Sequence, residues 1–115
     1  MAADVPTFAN QFRKSHPEIW KAFNDLAGAC HESGPLDEKS RRLVKVALCI
    51  GAAVEGGAHS AARNARAAGV TQAELEHVAL LAITTLGFPA AMRARAWLSD
   101  ASGKKPSSTD SRSGK

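Results

Sequence analysis

The sequence predicts an all-α chain, a single-domain bundle of five or six helices. Three observations predict it. Apolar residues recur at helical spacing in segment after segment. Capping residues stand just before those segments. No two stretches alternate apolar and polar residues in the way a strand pair requires. The chain is organised around Arg41 to Gly69, RRLVKVALCIGAAVEGGAHSAARNARAAG. It opens with an apolar run, Leu43 to Val54, broken only by Lys45 and Gly51. A helix apolar nearly all round belongs in the middle of a bundle.

Taken in order, Thr7 is a candidate N-cap for a short first helix in which Phe8 and Phe12 share a face. Ser15-His16-Pro17-Glu18 reads as a capping box with proline in the first turn. Ile19, Phe23, Leu26 and Cys30 then make one apolar stripe, and Gly34-Pro35 stops that helix. Asp37 is the expected cap of a central helix over about 38 to 54, with Gly51 admitting a close neighbour. Gly56-Gly57 should bend or end it.

A helix over about 58 to 68 presents Ala58, Ala61, Ala62 and Ala65 as a narrow face, and Gly69 ends it. Thr71 to Glu74 is a second capping box. Leu75, Val78, Ala79, Ala82 and Leu86 form a wide stripe before Gly87-Phe88-Pro89. A last helix, about 90 to 99, carries Met92, Ala96 and Trp97. The expected organisation is an N-terminal helix or arm over 1–16, a helical domain over 17–103 and a disordered basic tail over 104–115.

The 115 residues suffice for one domain with a real core. The net charge of +4 sits mainly in the tail, where Lys104, Lys105, Arg112 and Lys115 face only Asp110. With no tyrosine, and no aromatics interleaved with the basic residues, a nucleic-acid platform is not expected. The longest apolar run is too short for a bilayer, which needs roughly 20 residues. No signal segment is visible, and the two cysteines, Cys30 and Cys49, sit inside apolar patterns. They read as reduced, buried thiols of a cytoplasmic protein.

The stretch LDEKSRRLVKVALCIGAAVEGGAHSAARNARAAGVTQAELEHVALLAITTLGFPAAMRA resembles the carboxymuconolactone decarboxylase family, which includes the alkylhydroperoxidase D proteins. The resemblance spans about residues 18 to 100. It rests on Leu36-Asp37, the Glu55-Gly56 turn, the arginine-bearing helix closing at Ala68-Gly69-Val70-Thr71 and the glutamate-bearing helix after it. It implies an alkylhydroperoxidase D-like helical subunit that forms homo-oligomers, commonly trimers or hexamers.

The peroxidase branch of that family carries C-x-x-C, a histidine four residues on, and a glutamate on the preceding helix. By alignment on Gly69, those positions hold Val54, Gly57, Ala61 and Arg42. Thiol chemistry needs a reactive thiolate and a resolving partner, so the resemblance does not imply it here. The decarboxylase branch, with a motif like E-G-x-x-x-S-H, is matched at Glu55, Gly56 and Ser60 and differs at Ala61.

Glu55 and His59 are four apart, and on a continuous helix they share a face. A carboxylate beside an imidazole is a workable acid–base pair near neutral pH. Arg63 and Arg66 follow on the same helix, and Arg42 lies on the helix before; guanidinium groups bind carboxylates bidentately. The candidate catalytic residues are thus Glu55 and His59, and the candidate substrate-binding residues Arg42, Arg63 and Arg66. The expected ligand is a small anionic metabolite, with no cofactor and no metal.

The plain structural reading stands beside this. There, Glu55 caps a helix or pairs with His59, and the arginines are a solvated or subunit-facing row. His16, His31 and His77 read as capping, helix-end and surface residues, His77 pairing with Glu74. Neither Cys30-His31 nor Glu55-His59 shows the further ligands a metal needs. Cys49 reads as core, with a one-cysteine peroxidase as the remotest alternative. The leading expectation is a decarboxylase-like protein that acts on or binds a carboxylate metabolite, and the alternative is a non-catalytic oligomeric homologue.

Overall fold

The computed structural model describes residues 7–99. The expected tail over 104–115 lies outside them. The helices are α1 (Thr7–Ser15), α2 (Pro17–Glu32), α3 (Glu38–Gly51), α4 (Glu55–Ala67), α5 (Gln72–Leu86) and α6 (Phe88–Leu98). Among the described residues there is no strand. They fall into two compact units, one ending at Leu36 and the other starting at Asp37.

In the first unit, the Phe12 ring lies 5.1 Å from that of His16 and 6.3 Å from that of Trp20, centroid to centroid, which joins α1 to α2. The expected capping box at Ser15 does not form. The Ser15 hydroxyl donates back to the Gln11 carbonyl at 2.7 Å, and α2 starts after His16 with no side-chain cap. Pro17 makes this tolerable, since its preset φ suits the first helical position, where its missing N–H would have no partner. The α2 stripe is present, but Ile19, Phe23 and Leu26 are 57–61% exposed and no residue of α2 is buried. Cys30, expected to be buried, is exposed.

In the second unit, Asp37 caps α3 as expected, its carboxylate accepting the Ser40 N–H at 2.8 Å. The end of α3 differs from expectation. The helix stops at Gly51, where Ala53 turns left-handed (φ 58°) and the Val54 N–H closes on the Cys49 carbonyl at 3.0 Å. The break is therefore made by Ala52 to Val54. Gly56 and Gly57 sit in the first turn of α4 instead of separating two helices. Gly51 has open space around it, so it admits no close neighbour.

Ala58, Ala62 and Ala65 of α4 are buried, and α4 packs on both α3 and α6. The Thr71–Glu74 capping box opens α5 as expected, and Leu75, Ala79 and Ala82 are buried. Val78 is half-buried and Leu86 exposed, so the stripe is narrower than its sequence pattern. Gly87 (φ 100°) ends α5 and begins α6, a backbone angle that side-chain-bearing residues rarely adopt. On α6 the buried residues are Ala91, Ala94 and Leu98, while Ala96 is exposed. The Gln72 side-chain amide donates to the Leu98 carbonyl at 2.8 Å and ties the two helices end to start.

Of the twelve buried apolar residues among those described, seven are alanine, so helices approach closely and little side-chain volume is enclosed. The expectation that α3 is buried all round fails for this reason. Only Val46 and Ile50 are buried on it, while Val44 and Leu48 face outward. No helix among the described residues is long and apolar enough to cross a membrane.

Three outcomes are expected in urea or acid unfolding. Leu75 is fully buried, so Leu75→Ala should cost about 3 kcal/mol. Thr71→Ala removes a cap and should cost about 1 kcal/mol. Two carboxyls lie below their ordinary values. Glu74 does so through the Lys39 ammonium, 2.9 Å away, and then the Thr71 N–H; Asp37 does so through the Ser40 N–H. Both contributions are complete above the unfolded-state values, 4.5 and 3.8, and are lost as pH falls through the lower folded-state ones. Asp37→Asn should therefore flatten the acid limb of the stability curve and leave its slope near pH 7 unchanged.

Candidate functional site

Glu55 is the first residue of α4, where the helix's positive end favours a carboxylate. Its side chain is 62% exposed. His59, one turn on, is 28% exposed, and its Nε2 lies 3.3 Å from Glu55 Oε2. The structure thus brings the two predicted catalytic residues together, at the long edge of hydrogen-bond distance. They share one flank of a helix whose alanine face is buried. The pair forms because α4 begins before the glycines, so the helix is continuous across Gly56-Gly57.

The three predicted substrate-binding arginines have different surroundings. Arg63 makes no hydrogen bond or ion pair among the described residues and lies one turn beyond His59. Glu55, His59 and Arg63 therefore run at i, i+4 and i+8 along one side. Arg66 is engaged by backbone, donating to the Val70 carbonyl at 2.9 Å. It holds the α4–α5 turn. Arg42 donates through Nε to Glu38 Oε2 at 2.7 Å, and Arg41 reaches the other carboxylate oxygen at 3.0 Å. Glu38 thus occupies both, and only Arg63 keeps its guanidinium available beside the pair.

Cys49 is half-buried with a free thiol. Its Sγ is 3.3 Å from where a Cβ on Gly57 would stand. On a helix of 100° per residue, Gly57 and Ala61 share one side of α4, and Glu55 and His59 lie roughly opposite. Cys49 is accordingly on the side away from the acid–base pair. Periodicity could not reveal this contact, because it crosses the α3–α4 corner.

A separate open cavity of about 520 Å³ lies between α3 and α5, walled by Leu43, Val44, Ile50, Val78 and Leu81 among others. Neither Glu55 nor His59 lines it. His77 does, at the surface, and Glu74 pairs with Lys39 and Thr71 instead of His77, contrary to expectation. No group of three or more metal-ligating side chains occurs among the described residues.

Comparison with known proteins places the fold. A model of the carboxymuconolactone decarboxylase family matches residues 17–100. The fold is similar to the crystal structure of the apo form of a carboxymuconolactone decarboxylase family protein from Legionella pneumophila. The TM-score is 0.71 and the identity 28%, over 84% of this chain and 87% of that one. No curated protein sequence matches this one.

Because the Glu55–His59 contact is partly solvated and joins neighbouring turns of one helix, its loss should cost no more than about 0.5 kcal/mol. His59→Ala and Glu55→Gln should therefore unfold within about two to four degrees of the parent in a thermal melt. A larger fall in either would mean the pair has a structural role.

Proposed function

This chain belongs to the carboxymuconolactone decarboxylase family, and from that premise we propose that it binds or transforms a small carboxylate-bearing metabolite at Glu55 and His59, without thiol peroxidase chemistry. The observation that supports this most is the row Glu55, His59, Arg63, in which an imidazole is oriented by a carboxylate and followed by an unengaged guanidinium. Arg63 is suited to holding one carboxylate of a ligand. In a lyase reaction, loss of another carboxyl as carbon dioxide leaves an electron pair on carbon, which takes up a proton. His59, held by Glu55, is the group placed to deliver it. Arg42 and Arg66 belong to the frame of the site more than to its contacts, since Glu38 and the Val70 carbonyl engage them.

A second reading is supported by the openness of the pair. A non-catalytic homologue would keep the helices and their assembly and use the same row for binding alone. Both readings include a homo-oligomer, trimer or hexamer. The apolar faces left outward on α3 and α5, at Val44, Leu48, Leu81 and Leu86, support it. Two free cysteines are in keeping with a reducing cytoplasm. Peroxidase activity through Cys49 has least support, because that thiol lies against Gly57, where a resolving thiol would have to stand.

Thermal-shift titration with a dicarboxylic lactone and with simple dicarboxylates tests the proposal. The parent should be stabilised by at least one of them. His59→Ala and Arg63→Ala should abolish the shift, and Arg66→Ala should keep it, at a lower baseline melting point. A shift that survives both of the first two substitutions would refute the site. Release of carbon dioxide from the stabilising ligand separates lyase from binding protein.

A further inference from the structure

We propose that Gly57 is a positioning residue for the Glu55–His59 pair: the side chain it lacks is the space into which Val54 and Cys49 close, and that closure sets where α4 begins. The inference rests on the reading of Glu55 and His59 as the working site. A Cβ at position 57 would stand 3.1 Å from Val54 Cγ1 and 3.3 Å from Cys49 Sγ. Both distances are tighter than ordinary van der Waals contact, so a neighbour has to give way.

The two neighbours are the residues that build the corner. Val54 is the N-cap of α4, and its N–H donates to the Cys49 carbonyl at 3.0 Å. Neither has a long side chain that can swing aside. Pressure from a Cβ therefore passes to the backbone at Val54, and Glu55 is the next residue. The Glu55–His59 contact is already 3.3 Å long, so a displacement of a few tenths of an ångström carries it out of hydrogen-bond range.

Gly56 is the internal control. It lies in the same turn of the same helix, and a Cβ there meets nothing within 4 Å. Helix propensity favours alanine equally at both positions, so any difference between them reports the packing at the corner.

The experiment is NMR of the full chain at one fixed pH, reading how far the His59 ring signals move when Glu55 is replaced by Gln. The response is compared in the parent, Gly56→Ala and Gly57→Ala. It should be the same in the parent and Gly56→Ala, and fall by about half or more in Gly57→Ala as the contact lengthens. Gly56→Ala should also melt higher than the parent, and Gly57→Ala should not. Should Gly57→Ala not fold, Val54→Ala loosens the same contact from the other side and should likewise weaken the response. Equal responses in Gly56→Ala and Gly57→Ala would overturn the proposal, as would an unchanged response in Val54→Ala where that variant is the one read. A parent whose His59 signals ignore Glu55→Gln would overturn the reading of the site itself, which is a different result.

Discussion

The close contact of helices through alanine is the constraint from which the rest of the second unit follows. Ala58, Ala62 and Ala65 of α4, Ala79 and Ala82 of α5 and Ala91 and Ala94 of α6 are all buried. A methyl side chain brings little apolar area out of water, roughly a third of what a leucine contributes. It also loses almost no side-chain entropy on burial. Packing of this kind leaves room inside for only a few larger residues, Val46, Ile50, Val70, Leu75 and Leu98. Leu48, Leu80, Leu81, Leu86 and Phe88 stay on the outside. Closeness within this unit and greasiness at its surface go together in this choice of residue.

The same choice decides what α4 can carry. Its alanine face is committed to the core, which leaves two flanks. One flank bears Gly57 and Ala61 and meets Cys49; the other bears Glu55, His59 and Arg63. Small residues on the first flank let α3 and α4 come together at a corner of three residues. Polar residues on the second flank have solvent access and helical register. Register depends on the helix starting at Glu55, and that in turn depends on the left-handed turn at Ala53.

Much of the fold was legible because caps and alanine spacing are local signals. Asp37, Thr71 and Glu74 do what their types and spacing say, and Ala58, Ala62 and Ala65 point inward as their period requires. Three features were hidden for physical reasons. Gly56-Gly57 looks like a break, yet the break falls at Ala53, a residue whose left-handed conformation no propensity scale favours. Ser15 looks like a cap, but Pro17 lets the helix start without one. The apolar run of α3 looks like a core helix, but a core of alanines has room for only one side of it. At the site, the spacing of Glu55 and His59 was readable. The occupation of Arg42 by Glu38 and of Arg66 by the Val70 carbonyl was not, because a long side chain has several partners in reach and sequence does not rank them.

The two flanks of α4 also bear on how chemistry is distributed in this family. In the peroxidase branch, the positions corresponding to Gly57 and Ala61 carry a thiol and an imidazole. Here those positions are as small as residues can be, and the space beside Gly57 is taken by Cys49. The Cys49 thiol is free, and the His59 imidazole stands on the opposite side of the helix, beside Glu55. The Glu55–His59 contact and the Cys49 thiol thus belong to opposite flanks of α4. His59 has Glu55 as its side-chain neighbour, and the flank where the peroxidase branch places its thiol is here the flank that meets Val54 and Cys49.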